Sequence, residues 1–167
     1  MLTAARFGVT LSPVTHTPSS QVEGDESRQG KESLMSKLVR QSVTFKATPH
    51  QVYEALMDSR KHAQFTGDAA SISRKVGGKI MAYGGYITGI NLELVPDKKI
   101  VQTWHAADWP EGHTSRVTFR LTPAEGGGAR LIFTHSGVPD EHYEAIKQGW
   151  IDNYWTPMKA MLEKGTD

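Results

Sequence analysis

The sequence predicts an α+β domain. A curved antiparallel sheet of about six to seven strands wraps around a long C-terminal helix, with one or two short helices after the first strand. Three observations predict it. Period-two alternation opens the patterned region at Val39 and dominates Ala70 to Gly137. The strand-like runs are joined by connections too short for parallel crossovers, which need a dozen or more residues. The last patterned segment has three-and-four spacing and is long enough to cover a concave sheet.

Each element has a local reason. Val39 to Lys46 alternates through Val39, Gln41, Val43 and Phe45, a half-buried strand. Thr48-Pro49 then starts a helix: threonine caps, proline takes the first helical position, and Gln51 completes a capping box. Val52, Tyr53, Leu56 and Met57 form its apolar face, and Ser59 is positioned to cap a second short helix ending near Phe65. Gly77-Gly78 turns the chain between Ser71–Lys75 and Lys79–Tyr83. Thr88 to Val95 alternates through Ile90, Leu92 and Leu94, and Pro96-Asp97 is a turn signal. A strand over Lys99 to Ala106 follows. Val117, Phe119 and Leu121 share one face of the next strand, with Arg116, Thr118 and Arg120 opposite. Gly126-Gly127-Gly128 is a hairpin tip, after which Leu131, Phe133 and His135 share a face. Pro139, Asp140 and Glu141 suit the start of the final helix, whose apolar face is Tyr143, Ile146, Trp150, Tyr154, Met158 and Met161. Pro157 lacks an N–H for the carbonyl four residues back and predicts a kink.

Composition narrows the function. The 167 residues are 38% apolar and 22% charged, which suits one domain with one core. Nineteen Lys and Arg against eighteen Asp and Glu leave a net charge of +1, without the basic excess of a nucleic-acid binder. No cysteine is present, so disulfides, thiolate metal sites and cysteine nucleophiles are excluded. No apolar run approaches the ~18 residues of a membrane span. We expect a cytoplasmic protein with no membrane or nucleic-acid partner; its oligomeric state is not specified by the sequence. Residues 1–36 read as a flexible polar tail, with a transit peptide or an alternative start at Met35 as the other readings, and 37–167 as the folded domain.

Several strings resemble the activator of heat-shock-protein-90 (Hsp90) ATPase family, of the START-like, helix-grip superfamily. They are Gln64-Phe65-Thr66, Gly77-Gly78-Lys79, Leu94-Val95-Pro96 with Lys99-Ile100-Val101, Trp104, Trp109-Pro110-Glu111-Gly112-His113, Gly137-Val138-Pro139 and Gln148-Gly149-Trp150. The resemblance runs from about Val39 to Lys164 and is to the C-terminal-domain type. It implies a helix-grip fold, no intrinsic catalysis, and contact with an Hsp90-type chaperone or a small apolar ligand. The eukaryotic activator also has an N-terminal domain that makes much of its chaperone contact, and residues 1–36 are too short and polar to match it.

Two residue sets are candidates. Trp109, Pro110, Glu111, Gly112 and His113 form an exposed rigid turn between strands, a protein-contact candidate because tryptophan in a rigid loop anchors many interfaces; the plainer reading tucks the indole onto the protein's own surface. Tyr83, Trp104, Phe133, His135, Trp150 and Tyr154 converge between helix and sheet, as core or as the lining of a small-hydrophobic-ligand cavity. His135 points inward and needs partners for both ring nitrogens, which Tyr83, Tyr86, Tyr154 or a ligand would supply. No metal, cofactor or catalytic group is expected. The seven histidines are scattered, with His105, His113 and His135 converging only if the sheet brings them together, and no Gly-x-Ser-x-Gly or phosphate loop occurs. Acid–base work in a cavity would fall to Glu93, His105 or His135.

Overall fold

A computed structural model describes residues 38–164. The tail, transit-peptide and start-site readings of residues 1–36 lie outside the described residues.

Among the described residues seven strands form one antiparallel sheet: β1 (Val39–Phe45), β2 (Ser71–Ile72), β3 (Lys79–Ala82), β4 (Ile87–Val95), β5 (Lys99–Ala106), β6 (Ser115–Pro123) and β7 (Ala129–Ser136). Their spatial order is β1-β7-β6-β5-β4-β3-β2. Consecutive strands from β2 to β7 are therefore neighbours, and β1 returns to pair with β7. Helices α1 (Pro49–Met57) and α2 (Ser59–Thr66) fill the connection between β1 and β2. The chain ends in α3 (Tyr143–Trp150), a π turn at Ile151–Trp155 and α4 (Thr156–Lys164), which cross the concave face.

The cap of α1 is the one the sequence predicts. Thr48 accepts from the Gln51 N–H (3.1 Å), and the Gln51 side chain accepts from the Thr48 N–H (2.9 Å). The cap of α2 differs: Asp58, not Ser59, accepts from the Lys61 N–H (3.0 Å). Ser59 instead accepts the Ile72 N–H (2.8 Å) and ties the helix to β2.

Two sequence expectations need correction. Ile90 and Leu92 lie on the outer face of β4 and are exposed, while Asn91 points inward at 1% exposure. Alternation identifies which residues share a face but not which face is buried. The register also shifts between Asn91 and Glu93. Asn91 earns its burial through polar contacts: its amide donates to the carbonyls of Ser73 (2.7 Å) and Lys75 (3.0 Å), and its oxygen accepts from Gln102 (3.0 Å). Gly89 is required beside it, since a Cβ there would fall 1.9 Å from the Thr103 carbonyl oxygen.

The second correction concerns the last helix. Its irregularity lies in the turn before Pro157, where the Thr156 N–H reaches back five residues to the Ile151 carbonyl. The extra residue turns Trp155 inward beside Tyr154, so the buried face reads Ile146, Trp150, Tyr154, Trp155 and Met158. Tyr143 and Met161, at its ends, are only partly buried.

Candidate functional site

The six cavity candidates do meet. Trp104 on β5, Phe133 and His135 on β7, and Trp150 and Tyr154 on the helix are all at most 2% exposed, as is Tyr83 after β3. Trp150 is central. Its ring centre lies 4.3 Å from Phe133, 4.4 Å from Tyr154 and 4.8 Å from Trp104. These contacts fill the space. The enclosed void bounded by Leu56, His62, Gln102, Trp104, Phe119 and Tyr154 measures about 10 Å³, room for about one water.

Polar clamps run through this aromatic interior. The Trp150 indole N–H donates to His135 Nδ1 (3.1 Å), so the ring proton sits on Nε2 and donates to Ser115 Oγ (2.8 Å). The Ser115 hydroxyl then donates to the Trp104 carbonyl (2.8 Å). His135 thus finds both its partners, but they are Ser115 and Trp150 rather than a tyrosine or a ligand. Burial keeps the ring neutral and pushes its pKa down to about 3. Ser115 stands two residues before Val117, in phase with the buried face of β6, and that phase was the signal for it.

A second histidine, absent from the sequence candidates, repeats the arrangement. His62 on α2 is 5% exposed. Its Nδ1–H donates to the Leu56 carbonyl (3.1 Å), and its Nε2 accepts the Tyr154 hydroxyl (3.0 Å). Burial lowers its pKa to about 4, with the Leu56 hydrogen bond opposing the shift. Its spacing to Phe65 and Thr66 on a short helix was the available signal. Two further clamps complete the grip. The Tyr83 hydroxyl donates to the Asn153 carbonyl (2.9 Å), the very group to which Pro157 has no N–H to give. Gln41 on β1 accepts the Trp155 indole N–H (2.6 Å) and donates to the Lys147 carbonyl (3.0 Å).

The Trp109–His113 turn is built differently. Trp109 is 3% exposed, so the indole does not protrude as an interface anchor. It lies under its own turn, between the rings of His105, His113, His142 and Trp104, with centres 5.7 to 6.4 Å away. Its Nε1 is buried with no hydrogen-bond partner among the described residues. Pro110, Glu111 and Gly112 are exposed, and Gly112 has the positive φ (83°) that the sequence required. Both histidines brace the turn: His113 Nε2–H donates to the Gly137 carbonyl (2.7 Å), and His105 Nδ1–H donates to the His113 carbonyl (2.7 Å). The Tyr86 hydroxyl donates to Asp108 (2.6 Å) on its other side.

His105, His113 and His135 are thus gathered around an indole, and no group of three or more histidine or acidic side chains among the described residues is arranged to hold a metal ion. Glu93 faces solvent on β4 and pairs with Lys99 (3.1 Å), away from the interior. No helix of the described chain is long and apolar enough to cross a membrane.

A long helix clasped by a curved antiparallel sheet and locked through buried polar clamps defines a helix-grip protein. The family model described as Activator of Hsp90 ATPase homolog 1-like protein matches residues 46–163, and the chain belongs to that family. It is 30% identical over 122 residues to the human activator of 90 kDa heat shock protein ATPase homolog 1, covering 73% of this chain and 36% of the relative. It is also 30% identical over 118 residues to the Dictyostelium discoideum homolog, covering 71% of this chain and 31% of the relative. It therefore spans about a third of the length of these curated relatives. Among solved structures, an HSP90 activator from Plasmodium falciparum superposes with a TM-score of 0.72 at 25% identity, covering 75% of this chain and 96% of that one.

Proposed function

We propose that this chain is a non-catalytic, chaperone-related binding protein of the cytoplasm that engages an Hsp90-type chaperone. The observation that carries this reading is the family match over residues 46–163. The filled interior supports it as well, because a void of about 10 Å³ holds neither substrate nor cargo. The binding element we assign is the turn of Trp109, Pro110, Glu111, Gly112 and His113. In it the buried Trp109 acts as a foundation and the exposed Pro110, Glu111 and Gly112 make the contact. Bracing by His105 and His113 lowers the entropy lost when the turn docks.

The test is a titration of the full chain into the chaperone of the same organism, reading both binding and ATPase rate. Binding at micromolar to tens-of-micromolar concentration, weakened by Glu111→Lys without loss of folding, is the expected result. No binding and no change in ATPase rate would overturn the reading. A small apolar compound co-purifying with the native protein in mass spectrometry would favour the carrier alternative instead.

A further inference from the structure

The outer face of the sheet has a one-sided charge. Strands β1, β5, β6 and β7 contain no aspartate or glutamate, yet carry Arg40, Lys99, Arg116, Arg120 and Arg130. The four arginines are exposed and share the face turned away from the helix. Lys99 is paired with Glu93, whereas none of the four arginines has an acidic partner among the described residues. For a chain of net charge +1, this is segregation of charge rather than excess.

The register fixes the pattern. Thr118 lies opposite Thr134, and Thr134 opposite Arg40. On the same strand as Thr118, Arg116 and Arg120 flank it, and Arg130 lies opposite Thr122 one row further along. Four guanidiniums therefore surround a floor of threonine hydroxyls. Arg120 sits directly opposite Lys99, whose charge is answered within the fold by Glu93, so the Arg120 guanidinium keeps its own charge unanswered.

The spacing says what fits. Arg116 and Arg120 are four residues apart on one strand, about 13 Å, and Arg40 lies two strands from β6, about 10 Å. No single small anion spans that, and a convex face cannot enclose one. The outer positions of β1, β6 and β7 hold only arginine, serine, threonine and the half-buried Ile132. They offer no aromatic ring for base stacking and no exposed apolar group for insertion into a bilayer. Arginine forks suit carboxylates held on a protein surface. We infer that the arginine face of β1, β6 and β7 is a second docking surface, and that its occupant is an acidic protein surface. This rests on the chaperone-binding reading above and deepens it. Arg116 follows the Trp109–His113 turn by three residues, so one partner reaches both.

The experiment uses the full chain, wild type and the triple variant Arg116→Glu/Arg120→Glu/Arg130→Glu, with an Arg→Gln triple variant as a milder control. Folding is checked by circular dichroism and thermal unfolding. The first probe is the Hsp90-type chaperone, titrated at about 50 and 300 mM salt. The expected result is binding that weakens with salt and falls about tenfold or more on charge reversal, with the glutamine triple in between. Chaperone binding that is unaffected by charge reversal overturns the arginine face and leaves the functional reading standing. If the wild type binds no chaperone, that reading is lost, and poly-glutamate then decides the surface alone. Reversal-sensitive binding to poly-glutamate supports it and none overturns it. Reversal-sensitive binding confined to phosphatidylserine vesicles or duplex DNA also overturns it.

Discussion

Trp150 and Trp109 are both buried, at 0% and 3% exposure, and both stand among aromatic rings and histidines. They differ in one atom's circumstances. The Trp150 N–H reaches His135 and through it a chain of donors ending at the Trp104 carbonyl, whereas the Trp109 N–H reaches nothing among the described residues. A buried indole without a partner forfeits about 1–3 kcal/mol. The helix is therefore held by apolar contact and satisfied polarity together, and the turn by apolar contact and its histidine braces against one unmet donor. The grip is the permanent part of the molecule. The turn keeps its shape in spite of that cost, because His105 and His113 brace it from either side.

The largest break in this comparison is Trp150→Ala. Removing the ring that Phe133, Tyr154 and Trp104 all touch, and leaving His135 Nδ1 unpaired, costs about 3–5 kcal/mol. Thermal unfolding should show it as a loss of roughly 10–15 °C in Tm. A loss of only a few degrees would mean that the interior is looser than its contacts indicate.

Acid sharpens the same comparison. His135 and His62 are neutral when folded, with pKa values near 3 and 4, and titrate near 6.5 when unfolded. Between those limits the unfolded chain binds the proton and the folded chain does not, so stability falls as pH falls. It is complete above about pH 6.5. By pH 5 each histidine has removed about 2 kcal/mol, together about 4. Denaturant unfolding at the two pH values measures this. His62→Gln should halve the pH-dependent part, and an unchanged pH dependence in that variant would refute the assignment.

How much of this was legible in the sequence depends on whether the determinant was local. The capping box at Thr48 and Gln51, the glycine conformation at Gly112 and the inward phase of His135 are fixed within a few residues, and all stand as read. The helix crossing the concave face followed from hairpin spacing and from one aromatic stripe. What could not be read was identity across space. Ser115 is 20 residues from His135, Tyr154 is 92 from His62, and Gln41 is 114 from Trp155. Sequence phase says that a polar group points inward, not which donor meets it. Ile90 and Leu92 turn outward because alternation does not say which of its two faces is buried, and the π turn was missed because an extra residue resets the helical period on which the reading depends.

A smaller break is Tyr83→Phe. It keeps the ring against Tyr154 and removes only the hydroxyl that serves the Asn153 carbonyl. Since Pro157 has no N–H for that oxygen, the expected cost is about 1–2 kcal/mol. If Pro157→Ala, which supplies the missing N–H, is combined with Tyr83→Phe, the cost should shrink. A strictly additive pair would show that the hydroxyl and the proline are not linked.

The smallest effect is expected at Trp109, and it decides the comparison. Phenylalanine at position 150 loses indole area and strands His135 Nδ1, so Trp150→Phe should cost about 2–3 kcal/mol. Phenylalanine at position 109 also loses indole area, but it removes a donor that had no partner, and the two terms oppose each other. Trp109→Phe should therefore fall within about 1 kcal/mol of wild type in denaturant unfolding, despite equal burial. Equal costs at the two sites would mean that packing area alone sets the worth of each tryptophan. The polar clamps would then be consequences of the grip rather than part of what holds it.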